Sequence, residues 1–448
     1  MPLTYSLVTF GCRVNQADSL TVEEQLRARG ASASTPENAD LVVVNTCSVT
    51  ASADQGARQT IRRIARVNPN ARIVVTGCFA TRERDQVESL APGVTVVRND
   101  EKLQFVSLLR SRSALTDGAA GEAEVGSLDT AQRFGDGDGS CGAAIEPGVA
   151  GRTAFTLRVQ TGCSQPCSYC IIPETRGAPR SAPIPEVLAN LRRVVAAGYR
   201  EVALTGVHLG SYGRDLEPRT SLERLLIAVR DEVAAFETRV LVRISSLEPM
   251  DCSDRVVALV AESACFAPHF HLPLQHASGR MLSAMRRPYT VEQYDALVRN
   301  IRVNLPQASI GTDVIVGFPG ESDDDFEQLA EYLEGSPLTH VHVFPYSDRP
   351  GTAASRLGNR APGIVVKNRA ARLRTIGTML TRRFVDAQRG AEHDALTLED
   401  GTLVVTGNYL KVRVPPGQPR NAWVRVRITE TAPGLQGVLL QSSLRVCS

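Results

Sequence analysis

The chain has 448 residues, 43% of them hydrophobic, and a net charge of +2. That length allows two or three domains with real cores, and so even a charge balance does not announce a nucleic-acid partner. Arginine carries nearly all the basic charge, with lysine only at Lys102, Lys367 and Lys411, so a single arginine is a poor sign of an RNA contact. The segment Met1 to Gly11 lacks the charged start and apolar core of a secretory signal. No run approaches the apolar length of a membrane span, and a cytoplasmic location is expected. Ten cysteines in that compartment point to metal binding or catalysis rather than a disulfide framework.

Residues 1–110 alternate short apolar runs with helical patterns. Strands are predicted at Ser6–Phe10, Leu41–Asn45, Ile73–Thr76 and Val94–Val97, with helices between them that include Ala51–Val67 and Lys102–Arg110. Strand–helix repetition implies a parallel α/β sheet, and ligands of such sheets sit beyond the carboxyl ends of the strands. Cys12, Cys47 and Cys78 each follow a predicted strand directly, one strand–helix unit apart. One cysteine after a strand is usually inert packing. Three at equivalent positions would face one crevice, and they are read as ligands of an iron–sulfur cluster with an open iron.

Residues 111–152 are rich in Gly, Ala, Ser, Asp and Glu, which is linker composition. Cys141 lies inside this stretch and is read as a passenger. Residues 153–389 follow, and their first part gives six strand–helix units. The strands are Phe155–Gln160, Glu201–Thr205, Val240–Ser245, His269–Leu274, Ile310–Val316 and His340–Phe344; the helices include Ile184–Ala197, Leu222–Phe236, Cys252–Cys265, Val291–Leu305 and Asp324–Leu333. Six such units suit a partial (β/α)6 barrel with its site at the C-terminal face of the strands.

The stretch Gly162-Cys163-Ser164-Gln165-Pro166-Cys167-Ser168-Tyr169-Cys170 leaves the first of these strands. Three thiolates in one loop suit an iron–sulfur cluster. Without a fourth local ligand, a cubic cluster keeps one iron open for a small molecule. Zinc would want four ligands, usually in paired Cys-x-x-Cys spacing, and no second pair lies nearby. At other strand ends, Gly206 lets backbone approach a ligand closely, and Glu248 offers a carboxylate. His269 and His271 share a strand face, as do His340 and His342. Polar filling of a barrel accounts for them, and no histidine is assigned to a metal. Cys252, Cys265 and Cys447 are read as structural.

Residues 361–389 read as an arginine-rich helix, a solvated face or an RNA-facing one in equal measure. Residues 390–448 turn to short strands with Gly and Pro turns, at Ala395–Leu398, Leu403–Thr406, Leu410–Val414, Trp423–Ile428 and Gly437–Leu440, which suits a small barrel. Lys411 and Arg413 share one face there beside Tyr409, a combination that fits single-stranded RNA through stacking and phosphate contact.

Together these parts resemble the methylthiotransferase family of radical S-adenosylmethionine (SAM) enzymes. The likeness rests on Gly11-Cys12-Arg13-Val14-Asn15 with Cys47 and Cys78, and on Cys163 to Gly177, including Ile171-Ile172-Pro173 and Arg176-Gly177. The C-terminal barrel resembles a TRAM domain. Two positions depart from the family's usual wording: Thr161 stands where it has Glu, and Pro166 follows Gln165. The resemblance implies an α/β chain with an N-terminal auxiliary-cluster domain at 1–110, a linker at 111–152, a radical SAM domain with a linking helix at 153–389 and a TRAM domain at 390–448. It implies two [4Fe–4S] clusters and SAM. Cys163, Cys167 and Cys170 would hold the cluster that cleaves SAM, and Cys12, Cys47 and Cys78 the one that presents sulfur. Tyr169, Gly206 and Glu248 would contact SAM, and Tyr409, Lys411 and Arg413 the RNA. The implied partners are a tRNA anticodon stem-loop and an electron donor such as a flavodoxin or ferredoxin, with no membrane.

Within that family the segments Leu204–His208, Arg243–Glu248 and Val343–Ser347 resemble the threonylcarbamoyladenosine subfamily. The implied reaction adds a methylthio group to C2 of that nucleoside at position 37. Isopentenyl-adenosine of tRNA and a ribosomal-protein aspartate are the alternative substrates. A non-catalytic RNA-binding protein with structural clusters is the alternative from another class; the missing fourth ligand argues against it.

Overall fold

Leu41–Thr46 and Arg72–Gly77 show no polar–apolar alternation, because parallel strands in an α/β layer are covered on both faces. The computed structural model describes residues 3–102, 154–398, 400–431 and 434–440. In it these two runs are central strands of a parallel sheet ordered Ser32–Ala33, Thr4–Thr9, Leu41–Thr46, Arg72–Gly77, Thr95–Val96. Helix Arg13–Arg27 lays Val22 and Leu26 on one face, against Tyr5, Leu7, Val43 and Val74. Helix Ala51–Val67, found over its predicted span, lays Ala57, Ile61 and Ile64 on the other, against Val42, Val44 and Val75. Alternate valines of one strand thus serve opposite faces. The chain divides into two compact units, and this sheet belongs to the first, which comprises Met1–Arg158, Ile171–Ala178 and Arg192–Gly198. Most of the helix predicted at Lys102–Arg110, the 111–152 stretch with Cys141, and Cys447 lie outside the described residues.

The second unit holds Val159–Cys170, Pro179–Leu191 and Tyr199–Ser448. Glu201–Thr205 and Leu241–Ile244 pair in parallel. His269–His271, Ser309–Val316 and His340–Pro345 form a second parallel set. A bridge from Val242 to Phe266 and a hydrogen bond from Leu247 N to His271 O link the two sets. Two predicted elements are shorter than expected. The strand from His269 stops at His271 ahead of Pro273, which has no N–H to give a ladder. The helix expected at Cys252–Cys265 runs only over Asp254–Glu262, because Ser253 caps it by accepting from Val256 N.

Helix Gly363–Asp386 buries Leu373, Ile376 and Leu380 and leaves Arg374 and Arg382 exposed. It leads into a closed five-stranded barrel ordered Glu392–Leu398, Leu403–Thr406, Lys411–Arg413, Gln436–Leu440, Trp423–Glu430. Ala395, Val404, Val412, Val426 and Ile428 fill it. Trp423 anchors the barrel through its indole N–H, which donates to Arg239 O at 3.1 Å, while Arg239 lies 4.5 Å over the ring. No described helix is long and apolar enough to cross a membrane.

Gly77 ends its strand at φ +98°, and a Cβ there would collide with the backbone of Thr46. Gly77→Ala should therefore cost more than about 2 kcal/mol of stability, measured by urea unfolding. A near-neutral effect would show that this turn relaxes freely.

Candidate functional site

The first cysteine site forms where three neighbouring strands end. Cys12 lies three residues past Thr4–Thr9, Cys47 directly follows Leu41–Thr46, and Cys78 directly follows Arg72–Gly77. Gly11, at φ +91°, lets the first loop close down; a Cβ there would lie 2.6 Å from Cys47 Sγ. Asn15 ties the loops together by donating to Phe10 O at 2.8 Å and Thr46 O at 2.9 Å. Cys47 and Cys78 are buried and Cys12 is exposed. Burial, with the charges of Cys12 and Cys78 adding to it, pushes the Cys47 thiol up to about 12. Such a thiol stays protonated at neutral pH unless a cation holds it as thiolate.

Cations are present. Asp18 is buried and takes Lys102 Nζ at 2.8 Å, Arg176 Nη2 at 3.1 Å and Arg158. Burial opposes its ionisation, but Lys102, Arg176 and Arg158 outweigh that and hold it well below the usual carboxylate range. Burial lowers the Lys102 pKa while Asp18 works against that, and with Arg176 and Arg158 on the same carboxylate positive charge is in excess. Buried charge needs a counter-charge, and Arg176 reaches Cys78 as well as Asp18. Asn99 Nδ2 lies 3.7 Å from Cys78 Sγ. Three cysteines beside this charge fit an anionic iron–sulfur cluster.

The second cysteine site follows Gln160–Thr161. Buried Gln160 rivets it: its Nε2 donates to Thr161 O, Gly162 O and Ser211 Oγ, and its Oε1 accepts from His208 N at 2.9 Å. A Cβ on Gly206 would meet that Oε1 at 2.9 Å, so glycine is what keeps the two loops together. Ser168 donates from Oγ to Ala284 O at 2.8 Å. Tyr169 packs against Met281, Met285, Phe318 and Ala354. Gln165 N lies 3.4 Å from Cys163 Sγ. Arg287 donates to Cys167 Sγ at 3.1 Å and also pairs with Glu248. Burial raises the Cys167 thiol, and Arg287 works against that. His208 sits beside Cys163 and 2.7 Å from Asp251; burial opposes its charge, but Asp251 and Cys163 lift it to about 9. These three partly buried thiols, with donors aimed at sulfur, fit a cluster held by three ligands.

Other expected residues divide. Glu248 lies at the second cysteine site, though with Arg287 as its partner. Lys411 and Arg413 are exposed on one face of their strand, as the period required. Tyr409 is in the left-handed region at φ 72° and stacks within the chain, 4.1 Å from the Arg243 guanidinium and 5.0 Å from the His269 ring. Sequence reasoning missed Gln160, Arg287, Arg158 and Asp18. For Asp18 a signal existed: Asn15, Asp18, Ser19 and Glu23 fall on the inward face of helix Arg13–Arg27, where apolar residues belong. Arg287 has no local pattern that announces it.

Residues 4–98 match the Uncharacterized protein family UPF0004, and residues 157–333 match the Radical SAM superfamily. The chain is 34% identical over 412 residues to "Threonylcarbamoyladenosine tRNA methylthiotransferase MtaB" of Aquifex aeolicus, covering 90% of this chain and 95% of that protein. It is 35% identical over 377 residues to "tRNA-2-methylthio-N(6)-dimethylallyladenosine synthase" of Thermobifida fusca, covering 83% and 73%. Among solved structures, the radical SAM methyltransferase TsrM from Kitasatospora setae superposes with a TM-score of 0.55 at 16% identity, over 79% of this chain and 74% of that one, a likeness of fold alone.

Two outcomes follow from the geometry. Asp18→Asn leaves three cations without their carboxylate and should cost about 3 kcal/mol or more; urea unfolding reads it, and a loss below about 1 kcal/mol contradicts the account. Burial, with His342 and His271 adding, pulls His340 down to about 4. The unfolded side chain titrates near about 6.5. Stability present above that pH should therefore fall as pH drops toward 4. In a plot of Tm against pH, His340→Asn should flatten this limb; an unchanged slope would refute the assignment.

Family matches over residues 4–98 and 157–333, and relatives above 30% identity along most of their length, make this chain a member of the radical SAM tRNA methylthiotransferase family, enzymes that use SAM and a [4Fe–4S] cluster to transfer a sulfur-containing group.

Proposed function

We propose that this enzyme adds a methylthio group to C2 of N6-threonylcarbamoyladenosine at position 37 of tRNA, with SAM as both methyl donor and radical source. The observation that carries the reading is the second set of three cysteines: a plain radical SAM enzyme needs one such set, and Cys12, Cys47 and Cys78 converge beside surplus buried cations. The identity to the Aquifex and Bacillus subtilis proteins named for this nucleoside, 34% and 31%, supports the substrate. The 35% identity to the Thermobifida fusca protein favours isopentenyl-adenosine as the second reading.

In this reading Cys163, Cys167 and Cys170 hold the SAM-cleaving cluster, and Cys12, Cys47 and Cys78 hold an auxiliary one. Bound there, the clusters and SAM supply the electron, the radical and the sulfur, which an unactivated aromatic C–H bond requires. The chain's own residues bind and orient. Arg287 and Gln160 fix the loop around Cys167, and Gly206, Glu248 and Tyr169 line the space for SAM. Arg176 and Lys102 balance the charge around Cys78. Lys411, Arg413 and the exposed edge of Tyr409 meet the tRNA anticodon stem-loop. A flavodoxin or ferredoxin supplies electrons, and the reaction belongs in the cytoplasm.

Nucleoside analysis of tRNA from a strain lacking this gene tests the substrate. Loss of the 2-methylthio form of threonylcarbamoyladenosine alone is expected; loss of the isopentenyl counterpart instead would establish the second reading. Among variants, Cys167→Ala should abolish reductive cleavage of SAM. Cys47→Ala should keep that cleavage and make no methylthio nucleoside. Methylthio product from Cys47→Ala would remove the auxiliary-site assignment.

A further inference from the structure

Four of the chain's seven histidines lie on two strands, at His269, His271, His340 and His342. The strand Ser309–Val316 runs between them. His271 pairs with Gly311, Gly311 with His340, and Asp313 with His342. Strand parity puts all of these on one face. Polar filling accounts for a histidine or two, but not for how these meet. His271 Nε2 lies 3.0 Å, and His342 Nδ1 3.1 Å, from the same carboxylate oxygen, Asp313 Oδ1. The ligand atoms of the three residues all fall within 4.8 Å of one another. A tetrahedral ion with bonds of about 2.0–2.1 Å sets its ligand atoms about 3.3 Å apart. The two spacings to Asp313 Oδ1 lie close to that, and the two imidazole ligand atoms lie within 4.8 Å of each other.

Two further features prepare the place. Ser246 Oγ lies 2.9 Å from His271 Nδ1, which is the outer hydrogen bond that fixes the ring and tautomer of a metal-binding imidazole. Gly311 has no side chain where a Cβ would collide with the His340 ring, so the rings can gather over the strand. Access is open on one side: the His342 side chain is 57% exposed, against 16% for His271 and 25% for Asp313.

We propose that His271, Asp313 and His342 form a binding site for a divalent first-row transition-metal ion. Two imidazoles and one carboxylate are the donor set of sites that keep coordination positions open for an oxygen ligand, rather than of closed structural sites. This is a nitrogen–oxygen site, unlike either cysteine set, and it does not depend on which nucleoside is modified.

The test uses full-length protein with its clusters loaded, equilibrated anaerobically with zinc(II) and then freed of loose metal. Zinc binds such donors at least as tightly as iron(II), so it is a fair probe. We expect one zinc per chain, with an X-ray absorption first shell of nitrogen and oxygen at about 2.0–2.1 Å. His342→Gln and Asp313→Asn should each release it while cluster iron stays unchanged, and Ser246→Ala should weaken retention about tenfold or more. Wild-type protein that retains no zinc, zinc with sulfur in its first shell, or zinc kept equally by the ligand variants would each overturn the proposal.

Discussion

A buried sulfur can be a ligand only as thiolate, and a thiolate out of water has to be balanced by positive charge. Each cysteine set has positive charge beside it. In the first unit, Lys102, Arg158 and Arg176 converge on the single carboxylate of Asp18 and leave charge to spare beside Cys78. In the second, Arg287 aims one nitrogen at Cys167 Sγ and pairs with Glu248. Asparagine and glutamine carry the rest. Asn15 ties two strand ends into one rim, and Gln160 ties the Cys163 loop to the turn at Gly206.

The same constraint explains why these arrangements tolerate their own cost. Asp18, Lys102 and Arg176 are almost fully buried, a situation that yields little stability in itself. A hydrophobic trio would place no positive charge beside Cys78. The glycines have a parallel logic. Gly11 and Gly77 hold left-handed backbone where a side chain would strike Cys47 or Thr46, and the cysteines can approach one another only because that volume is empty.

The sequence showed the layout well and the polar scaffolding poorly. Strand ends were legible because apolar runs such as Leu41–Thr46 and Glu201–Thr205 stop sharply at Thr, Gly and Cys, and the loop cysteines follow by simple counting. The strand beginning at His269 was overextended because apolar character alone does not reveal that Pro273 withholds a donor. Partners brought together by folding, such as Arg287 with Cys167 across 120 positions, have no periodic trace. Asp18 was different: its place on the inward face of an amphipathic helix was readable as a buried charge in need of partners. Tyr409 shows the converse. Its aromatic–basic neighbourhood fits RNA, yet one face of the ring already rests on Arg243 of its own chain.

The central claim is that two separate sets of three cysteines each hold a cluster. Iron and sulfide content of anaerobically reconstituted protein tests it most directly, with wild type beside the Cys163→Ala/Cys167→Ala/Cys170→Ala variant. The account predicts about eight irons in wild type and about four in the variant, as two cubic clusters and then one require. About four in wild type and none in the variant would contradict it, and would leave Cys12, Cys47 and Cys78 without a metal to hold.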